Sequence, residues 1–308
     1  MAVFPLSVTP SQLAGIIPAR HLAVWKANLL VPLLIAISVL LAVPVGADPI
    51  SVRAGRTVGH HPTLPPTSGV FDYQLGGSFN RVPRHRHINV VVRDDTDRPL
   101  PGAYNICYIN GFQTQPDAQA FWHTHQELLL HDKSGGLVVD PNWPDEYVLD
   151  PSTKAKREGI VRIIGPIIKG CKTRGFDAVE IDNLDTFTRF TQINRDRALE
   201  LARDYVRIAH ASGLAIAQKN TAEIAALGKT HIGFDFAIAE SCAAWDECAA
   251  YTSVYGPHVL QIEYPDTLRD ANIAFTRVCN DPHRAPLTIL RDRNLVPRGH
   301  REFTYARC

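Results

Sequence analysis

Residues 175–185 read GFDAVEIDNLD, an apolar strand core that carries three carboxylates and one asparagine. An ionised group taken from water costs roughly several kcal/mol unless it is paired or its pKa moves. Glu180 and Asp182 share one face of a period-2 strand, about 7 Å apart along it, and Asn183 and Asp185 follow them. This cluster indicates proton chemistry. The structural alternative is that Asp182 caps the next helix and Glu180 pairs with a basic core residue.

The composition of the chain bounds its class. With 308 residues, of which 45% are apolar, it is long enough for one large α/β domain or two small ones. Its 32 basic and 31 acidic side chains leave a net charge of +1. No overall field therefore recruits nucleic acid or an anionic membrane surface, so any charge selectivity must be local.

The N-terminal region has the pattern of an export signal. An apolar run, residues 29–47, lies behind Arg20 and Lys26 and ends in small residues. This predicts a signal peptide, residues 1–47, cleaved before Asp48. The alternative is an uncleaved membrane anchor, because the run approaches the roughly 20 residues that span a bilayer. Residues 48–69 predict a linker and 70–308 the folded domain, so we expect a secreted or extracellular protein that meets a membrane only through an uncleaved anchor.

Short apolar runs recur from residue 71 onward, separated by segments with helical spacing. The predicted strands are Phe71–Leu75, Ile88–Val92, Tyr104–Ile109, Ala178–Asp182, Ala215–Lys219, Phe236–Glu240, Val259–Tyr264 and Leu287–Leu290. The clearest helical pattern spans 196–211 and ends before Gly213. Strands that alternate with helices imply a parallel sheet, and eight strands predict a (β/α)8 TIM-type barrel. Two spare strand-like runs, 137–140 and 147–149, are placed in a long loop after the third strand.

Polar side chains stand at the carboxyl ends of these strands, and Asp72 and Gln74 lie within the first strand. The strand ends carry Asp94, Asn110, Asp182 with Asn183, Lys219 with Asn220, Glu240, Glu263, and Arg291 with Asp292. Barrel enzymes build their active sites on this face. Each residue has an ordinary alternative as a cap or salt bridge, but together they predict a site here.

Six cysteines lie in the predicted exported part, where they should form disulfides. Six allow 15 connectivities. The short Cys242/Cys248 loop favours a local bridge, Cys279 with Cys308 would hold the C-terminus, and Cys107 with Cys171 is left by elimination. Zinc is the competing interpretation, but no C-x-x-C or H-x-x-x-H spacing supports it. We expect the histidine pairs His85/His87 and His123/His125 to lie on the surface. We expect neither a metal nor a cofactor.

A set of motifs resembles a known family. In chain order they are FDYQLGG (71–77), CYI (107–109), WPDEYVLD (143–150), GFDAVEIDNLD (175–185), QKN (218–220), FDFAIAESC (234–242) with EC (247–248), and IEY (262–264). The region from about residue 70 to 308 resembles glycoside hydrolase family 114, the endo-α-1,4-polygalactosaminidases. The resemblance implies a TIM-type barrel and cleavage of α-1,4-linked galactosamine in microbial exopolysaccharide. It also implies that Asp182 and Glu240 are the catalytic carboxylates.

Glycoside hydrolysis needs two carboxyls that flank the scissile bond. We expect Asp182 as the nucleophile and Glu240 as the acid/base of a retaining reaction, with inversion as the alternative. Glu180, Asp185 and Lys219 would hold the protonation states of this pair apart. Asn183 and Lys219 would keep Asp182 ionised.

Further residues are expected to bind the polysaccharide. The acidic groups Asp72, Glu180, Asp185 and Glu263 would attract a cationic galactosamine polymer. The aromatic rings of Trp143, Tyr73, Tyr108 and Tyr264 would offer sugar-stacking faces, with burial in the core as the alternative. We expect a monomer. The rival functions are a non-catalytic carbohydrate-binding or matrix protein and a metal-dependent phosphodiesterase or deacetylase. The latter would need histidine ligands, which the strand ends lack.

Overall fold

A computed structural model describes residues 62–308. Its main sheet has nine strands, each beside the next in chain order. They are β1 (Phe71–Gln74), β2 (Val90–Asp94), β3 (Tyr104–Asn110), β4 (Ala178–Asp182), β5 (Ala215–Lys219), β6 (Phe236–Glu240), β7 (Val259–Glu263), β8 (Leu287–Arg291) and β9 (Tyr305–Arg307). Strands β1 to β8 are parallel, whereas β9 runs antiparallel beside β8. The predicted TIM-type barrel is confirmed.

Helices cover the outer face from β3 onward. They are α1 (Gln119–Trp122), α2 (Lys154–Arg174), α3 (Thr186–Arg189), α4 (Arg195–Ala211), α5 (Ala225–Leu227), α6 (Cys248–Tyr255), α7 (Pro265–Asp270) and α8 (Phe275–Cys279), with a π-helical turn at Gly228–Ile232. Helix α4 matches the predicted helix. The Asn194 side chain caps its first turn by accepting from the Arg197 N–H at 3.2 Å. Gly213 follows at φ +72°, a conformation that glycine adopts without strain.

Strands β1, β2 and β3 are joined without α-helices, and the first connection has one 3-10 turn, Pro83–His85. A small antiparallel hairpin, Arg81–Val82 paired with Arg86–His87, lies between β1 and β2. Val82 packs with Val70, Ile88 and Val91 in a separate apolar cluster. This hairpin therefore covers part of the sheet that a helix covers elsewhere in the barrel.

Successive residues of each strand face opposite sides of the sheet, so they pack into two apolar cores, one inside the barrel and one between the sheet and the helices. On β4 to β6, one face contributes Ala178, Ala217 and Ile238 to the barrel interior. The other face contributes residues such as Ile181 and Ala239 to the layer between sheet and helices. Because Glu180, Asp182, Lys219 and Glu240 share parity with the interior residues, the same alternation points them into the barrel.

The barrel closes between β1 and β8 through side chains. The guanidinium of Arg291 is fully buried and donates to Asp72 Oδ1 at 2.7 Å and to the Tyr73 carbonyl. On the same seam, the Tyr305 hydroxyl of β9 donates to the Phe71 carbonyl at 2.8 Å. Asp72 was expected to bind substrate, but its parity is opposite to that of Tyr73, so it faces outward and serves this seam instead.

The long loop between β3 and α2 contains the two additional strand-like runs, residues 137–140 and 147–149. The runs form only isolated antiparallel bridges, including Leu129 with Leu149 and Val139 with Tyr147. The expected position of both runs is confirmed. This loop also brings Trp143 and Glu146 to the carboxyl-terminal side of the barrel.

All three expected disulfides are present: Cys107–Cys171, Cys242–Cys248 and Cys279–Cys308. The predicted signal peptide or anchor and most of the predicted linker lie outside the described residues. Among residues 62–308, no helix is both long and apolar enough to cross a membrane.

Candidate active site

The ammonium of Lys219, at the end of β5, is the centre of the site. The side chain is almost fully buried. Its Nζ lies 2.7 Å from Glu180 Oε1, 3.1 Å from Asp182 Oδ1 and 3.2 Å from Glu240 Oε2. It also donates to the Tyr73 hydroxyl at 2.8 Å. One cation on β5 therefore joins the carboxylates of the two strands that flank it, β4 and β6.

Asp182 and Glu240 face each other across β5. Because both contact the same nitrogen of Lys219, their nearest oxygens cannot be further apart than the sum of 3.1 and 3.2 Å. The Asp182 side chain is 19% exposed and that of Glu240 is 24% exposed, whereas Glu180 is fully buried. Asp182 and Glu240 can therefore meet a substrate, and Glu180 can act only through its neighbours.

The charge on Asp182 is stabilised by its contacts. Burial raises the pKa of this carboxyl, but the Lys219 ammonium and a hydrogen bond from the Tyr108 hydroxyl, at 2.6 Å, hold the pKa below its usual range. Burial lowers the pKa of Lys219, but the carboxylates of Asp182, Glu180 and Glu240 outweigh it and leave the pKa well above the usual value. The pair is therefore ionised at neutral pH, as the sequence predicted for Asp182.

Burial raises the pKa of Glu180 to about 7, against the opposing effect of Lys219. The Tyr73 hydroxyl donates to its Oε1 at 2.7 Å. The structural alternative considered for Glu180, pairing with a basic core residue, is thus the observed arrangement. Asp182 does not cap a helix.

The three tyrosines that were predicted to stack on sugar rings form hydrogen bonds with the carboxylates of the site instead. The rings of Tyr73, Tyr108 and Tyr264 are buried, so no sugar face can lie against them. Their hydroxyls instead donate to site carboxylates, and Tyr264 donates to Glu240 Oε1 at 2.5 Å. The expectation of stacking is therefore wrong for these three rings, because their strand positions point them into the packed barrel. Trp143 differs, since it is 51% exposed.

Asn183 and Asp185 belong to a network beside Asp182. The guanidinium of Arg189, on α3, donates to Asn183 Oδ1 at 2.7 Å and to Asp185 Oδ1 at 3.1 Å. It also donates to Asp140 in the loop after β3. Asn183 therefore positions the turn after β4, and Asp185 is already paired with a cation.

The structure adds Glu146 to this network, a residue that the sequence had placed only within a motif. Asn183 donates to Asn110 Oδ1 at 2.9 Å, and Asn110 donates to Glu146 Oε2 at 2.8 Å. Burial raises the pKa of Glu146 to about 7. No local sequence signal distinguishes it, because its importance depends on the loop folding back onto β3.

Glu263 does not reach the site. It lies one residue before the inward-facing Tyr264, so its fully buried carboxylate faces outward. It accepts from the Ala243 N–H at 2.9 Å and from Gln261 at 2.8 Å. The expectation that it binds substrate is therefore wrong, and alternation along β7 was the signal that could have revealed this.

Arg293, just after β8, is a further residue of the site that no sequence motif marks. Its guanidinium carbon lies 4.0 Å from the centre of the Tyr264 ring. Its nitrogens donate to both oxygens of Asp266, at 2.9 and 3.0 Å. Arg293 therefore holds the ring whose hydroxyl contacts Glu240, which is a cation–π arrangement.

An eight-stranded barrel with two accessible carboxylates at its carboxyl-terminal end has the design of a barrel glycosidase. The model of glycoside-hydrolase family GH114 matches residues 53–307. The chain therefore belongs to family GH114, and it is a glycoside hydrolase. No curated protein sequence matches it.

Solved structures share the fold. One is Aspergillus fumigatus Ega3 in complex with galactosamine, with a TM-score of 0.60 and 18% identity, covering 80% of this chain and 97% of that one. Another is the glycoside hydrolase domain of PelA from Pseudomonas aeruginosa, with a TM-score of 0.50 and 13% identity, covering 75% of this chain and 98% of that one. At these identities the likeness shows a common barrel.

Proposed function

We propose that this protein is an endo-α-1,4-polygalactosaminidase that cleaves galactosamine-containing exopolysaccharide. The observation that carries the proposal is the pair of accessible carboxylates, Asp182 and Glu240, held on one ammonium. Glycosidases need two carboxyls on opposite sides of the scissile bond. Family membership supports the same chemistry, and galactosamine occupies the complex solved for Ega3.

We propose a retaining reaction, in which one carboxylate is the nucleophile and the other the acid/base. Asp182 and Glu240 contact the same ammonium, at 3.1 and 3.2 Å, so both border the space in which the anomeric carbon would lie. In the first step, Asp182 attacks the anomeric carbon while protonated Glu240 gives its proton to the leaving oxygen. In the second step, Glu240 takes a proton from water, the water oxygen attacks the anomeric carbon, and Asp182 is released.

The ionised Asp182 supports its assignment as the nucleophile. Lys219 and Tyr108 both favour its charged form. Glu240 receives hydrogen bonds from Tyr264 and from Asn220 Nδ2, the latter at 3.2 Å. These donors hold the Glu240 carboxyl in place on the leaving-group side.

A cationic polymer suits the charge at this end of the barrel. Asp182, Glu240, Asp185 and Glu146 are grouped there, and Asp185 is 32% exposed. Protonated amines of a deacetylated galactosamine chain would be attracted to them. We therefore propose a deacetylated or partly deacetylated substrate.

The three disulfides support an oxidising, extracellular location. We propose a secreted monomer whose domain spans residues 70–308, with a membrane-anchored form if residues 1–47 remain attached.

The test is incubation of the purified protein with partly deacetylated galactosaminogalactan. We expect soluble oligosaccharides from the wild type. The variants Asp182→Asn and Glu240→Gln remove a titrating group with almost no change in volume, and each should lose activity by about 10²-fold or more. The control is that both variants remain folded at the assay temperature, each with a cooperative thermal unfolding transition above it. Turnover near wild type in either variant would contradict the assignment, and binding without cleavage by the wild type would favour the non-catalytic alternative.

A further inference from the structure

The loop between β6 and α6, residues 241–247, presents an exposed tryptophan beside Glu240. Trp245 is 65% exposed. Its backbone N–H donates to the carbonyl of Ser241 at 3.2 Å, and Ser241 follows Glu240 directly. The indole is thus attached one turn away from the accessible carboxylate of β6.

Four separate constraints hold this loop in its conformation. The Cys242–Cys248 disulfide closes it, and the Glu247 N–H donates to the Cys242 carbonyl at 2.8 Å. The buried carboxylate of Glu263 accepts from the Ala243 N–H. The Ser241 hydroxyl lies 3.0 Å from that of Thr267 on α7. An aromatic ring on such a preorganised loop loses little conformational entropy when a ligand binds.

The residues around Trp245 link its ring to the active site. A single exposed apolar side chain is by itself no evidence of a binding site. Here, however, the tyrosine rings at the carboxylate cluster are buried and cannot serve as sugar platforms. Within residues 62–308 the exposed indoles are those of Trp143 and Trp245. They stand on the loops after β3 and β6, the two strands between which β4 and β5 lie in the sheet.

We propose that Trp245 is a sugar-binding platform on the leaving-group side of Glu240. The apolar face of one hexosamine ring would lie on the indole, and its protonated amine would be attracted to the ring face. The assignment to the leaving-group side rests on the proposed function, in which Glu240 protonates the leaving oxygen. This platform would bind the polymer beyond the bond that is cut.

The test compares Trp245→Ala with Trp245→Phe and with a matched control, Phe121→Ala. Phe121 is an aromatic residue on α1, 47% exposed, whose ring contacts those of Trp122 and His125. Loss of the indole should raise KM for partly deacetylated galactosaminogalactan by about 3- to 10-fold with kcat little changed. Trp245→Phe should recover part of this loss, and Phe121→Ala should behave as the wild type.

A binding measurement separates this proposal from the proposed function. In the Asp182→Asn background, the same polymer should quench tryptophan fluorescence, and Trp245→Ala should weaken its binding by a similar factor. Wild-type cleavage with equal KM and equal binding in Trp245→Ala and Phe121→Ala would overturn the platform alone. A wild type that neither binds nor cleaves the polymer would overturn both proposals.

Discussion

Lys219 resolves the electrostatic difficulty that the carboxylates of β4 and β6 create. Three carboxylates around one buried position would repel each other and lose their hydration. A single ammonium within 3.2 Å of each one compensates both effects. The same contacts keep Asp182 ionised, so at the scale of the residue, stability and chemistry depend on one side chain.

Replacement of Lys219 should therefore destabilise the protein. Lys219→Met leaves buried carboxylates without their cation, which typically costs about 3–5 kcal/mol. The low pKa of Asp182 contributes stability that is present above its ordinary pKa and lost as the pH falls. The difference between variant and wild type should therefore be largest near pH 7 and shrink toward about pH 3, below the ordinary pKa of an aspartate.

Urea unfolding at both pH values measures this difference. Lys154→Met is the matched control, since the Lys154 side chain is 84% exposed and its replacement should change the free energy of unfolding by less than about 1 kcal/mol. A Lys219→Met variant as stable as this control would contradict the central role of Lys219.

The stereochemical outcome is also decided at the scale of the residue. The proposed roles of Asp182 as nucleophile and Glu240 as acid/base predict net retention. From an α-linked polymer, NMR of the first-formed reducing end should therefore show the α-anomer before mutarotation. An initial β-anomer would show inversion. Asp182 would then be the general base that activates a water, and not the nucleophile.

At the scale of the element, the ends of β4, β5 and β6 share one construction. The residue after each strand has a left-handed backbone conformation: Asn183 at φ +64°, Asn220 at φ +48° and Ser241 at φ +57°. Asparagine is among the non-glycine residues that adopt this conformation most readily. The chain therefore turns away sharply and leaves the last side chain of each strand at the mouth of the barrel.

The loop after β3 adds a group that titrates near neutrality. The folded pKa of Glu146, about 7, lies above its ordinary value, so the folded state binds the proton more tightly than the unfolded state does. Its contribution to stability is thus fully present at low pH and is lost as the pH rises from about 5 to about 7. Glu146→Gln should flatten this part of the stability curve, because the amide can still accept from Asn110.

Urea unfolding from about pH 5 to about pH 8 tests this prediction. Glu158→Gln is a suitable control, since its side chain is 55% exposed on α2. A stability curve of Glu146→Gln that is as steep as that of the control would contradict the assigned titration.

At the scale of the whole molecule, the barrel depends on the buried pair of Asp72 and Arg291. Asp72→Ala removes the buried carboxylate 2.7 Å from the guanidinium and leaves that of Asp292, 3.5 Å away, which should destabilise the protein by about 3 kcal/mol. Asp266→Ala removes a pair with Arg293 in which both side chains are about 40% exposed, and should cost less than about 1 kcal/mol. Equal free energies of unfolding for the two variants would contradict the role of the seam.

Export is the other prediction for the whole chain. We expect mature protein that begins near Asp48 and has no free thiol, because its six cysteines pair. N-terminal sequencing and a thiol titration of protein from the producing culture measure both. An intact N-terminus in the membrane fraction would instead indicate the anchored form.

The sequence by itself determined the eight parallel strands, the position of α4, the short-range Cys242–Cys248 bridge and the strand ends that carry Asp182, Lys219 and Glu240. These features are encoded locally, since apolar periodicity identifies each element and parity within it assigns each side chain to a face. The outward positions of Asp72 and Glu263 were readable from the same parity.

Only the tertiary structure decided which groups meet. Arg291 and Asp72 are 219 positions apart, and the contact of Arg293 with Tyr264 likewise requires two separate strand ends to be brought together. The burial of the three tyrosine rings depends on how tightly the barrel packs around them, and the exposure of Trp245 depends on the conformation of its loop. Such contacts follow from closure of the sheet, because no local pattern records the distance between residues remote in the chain.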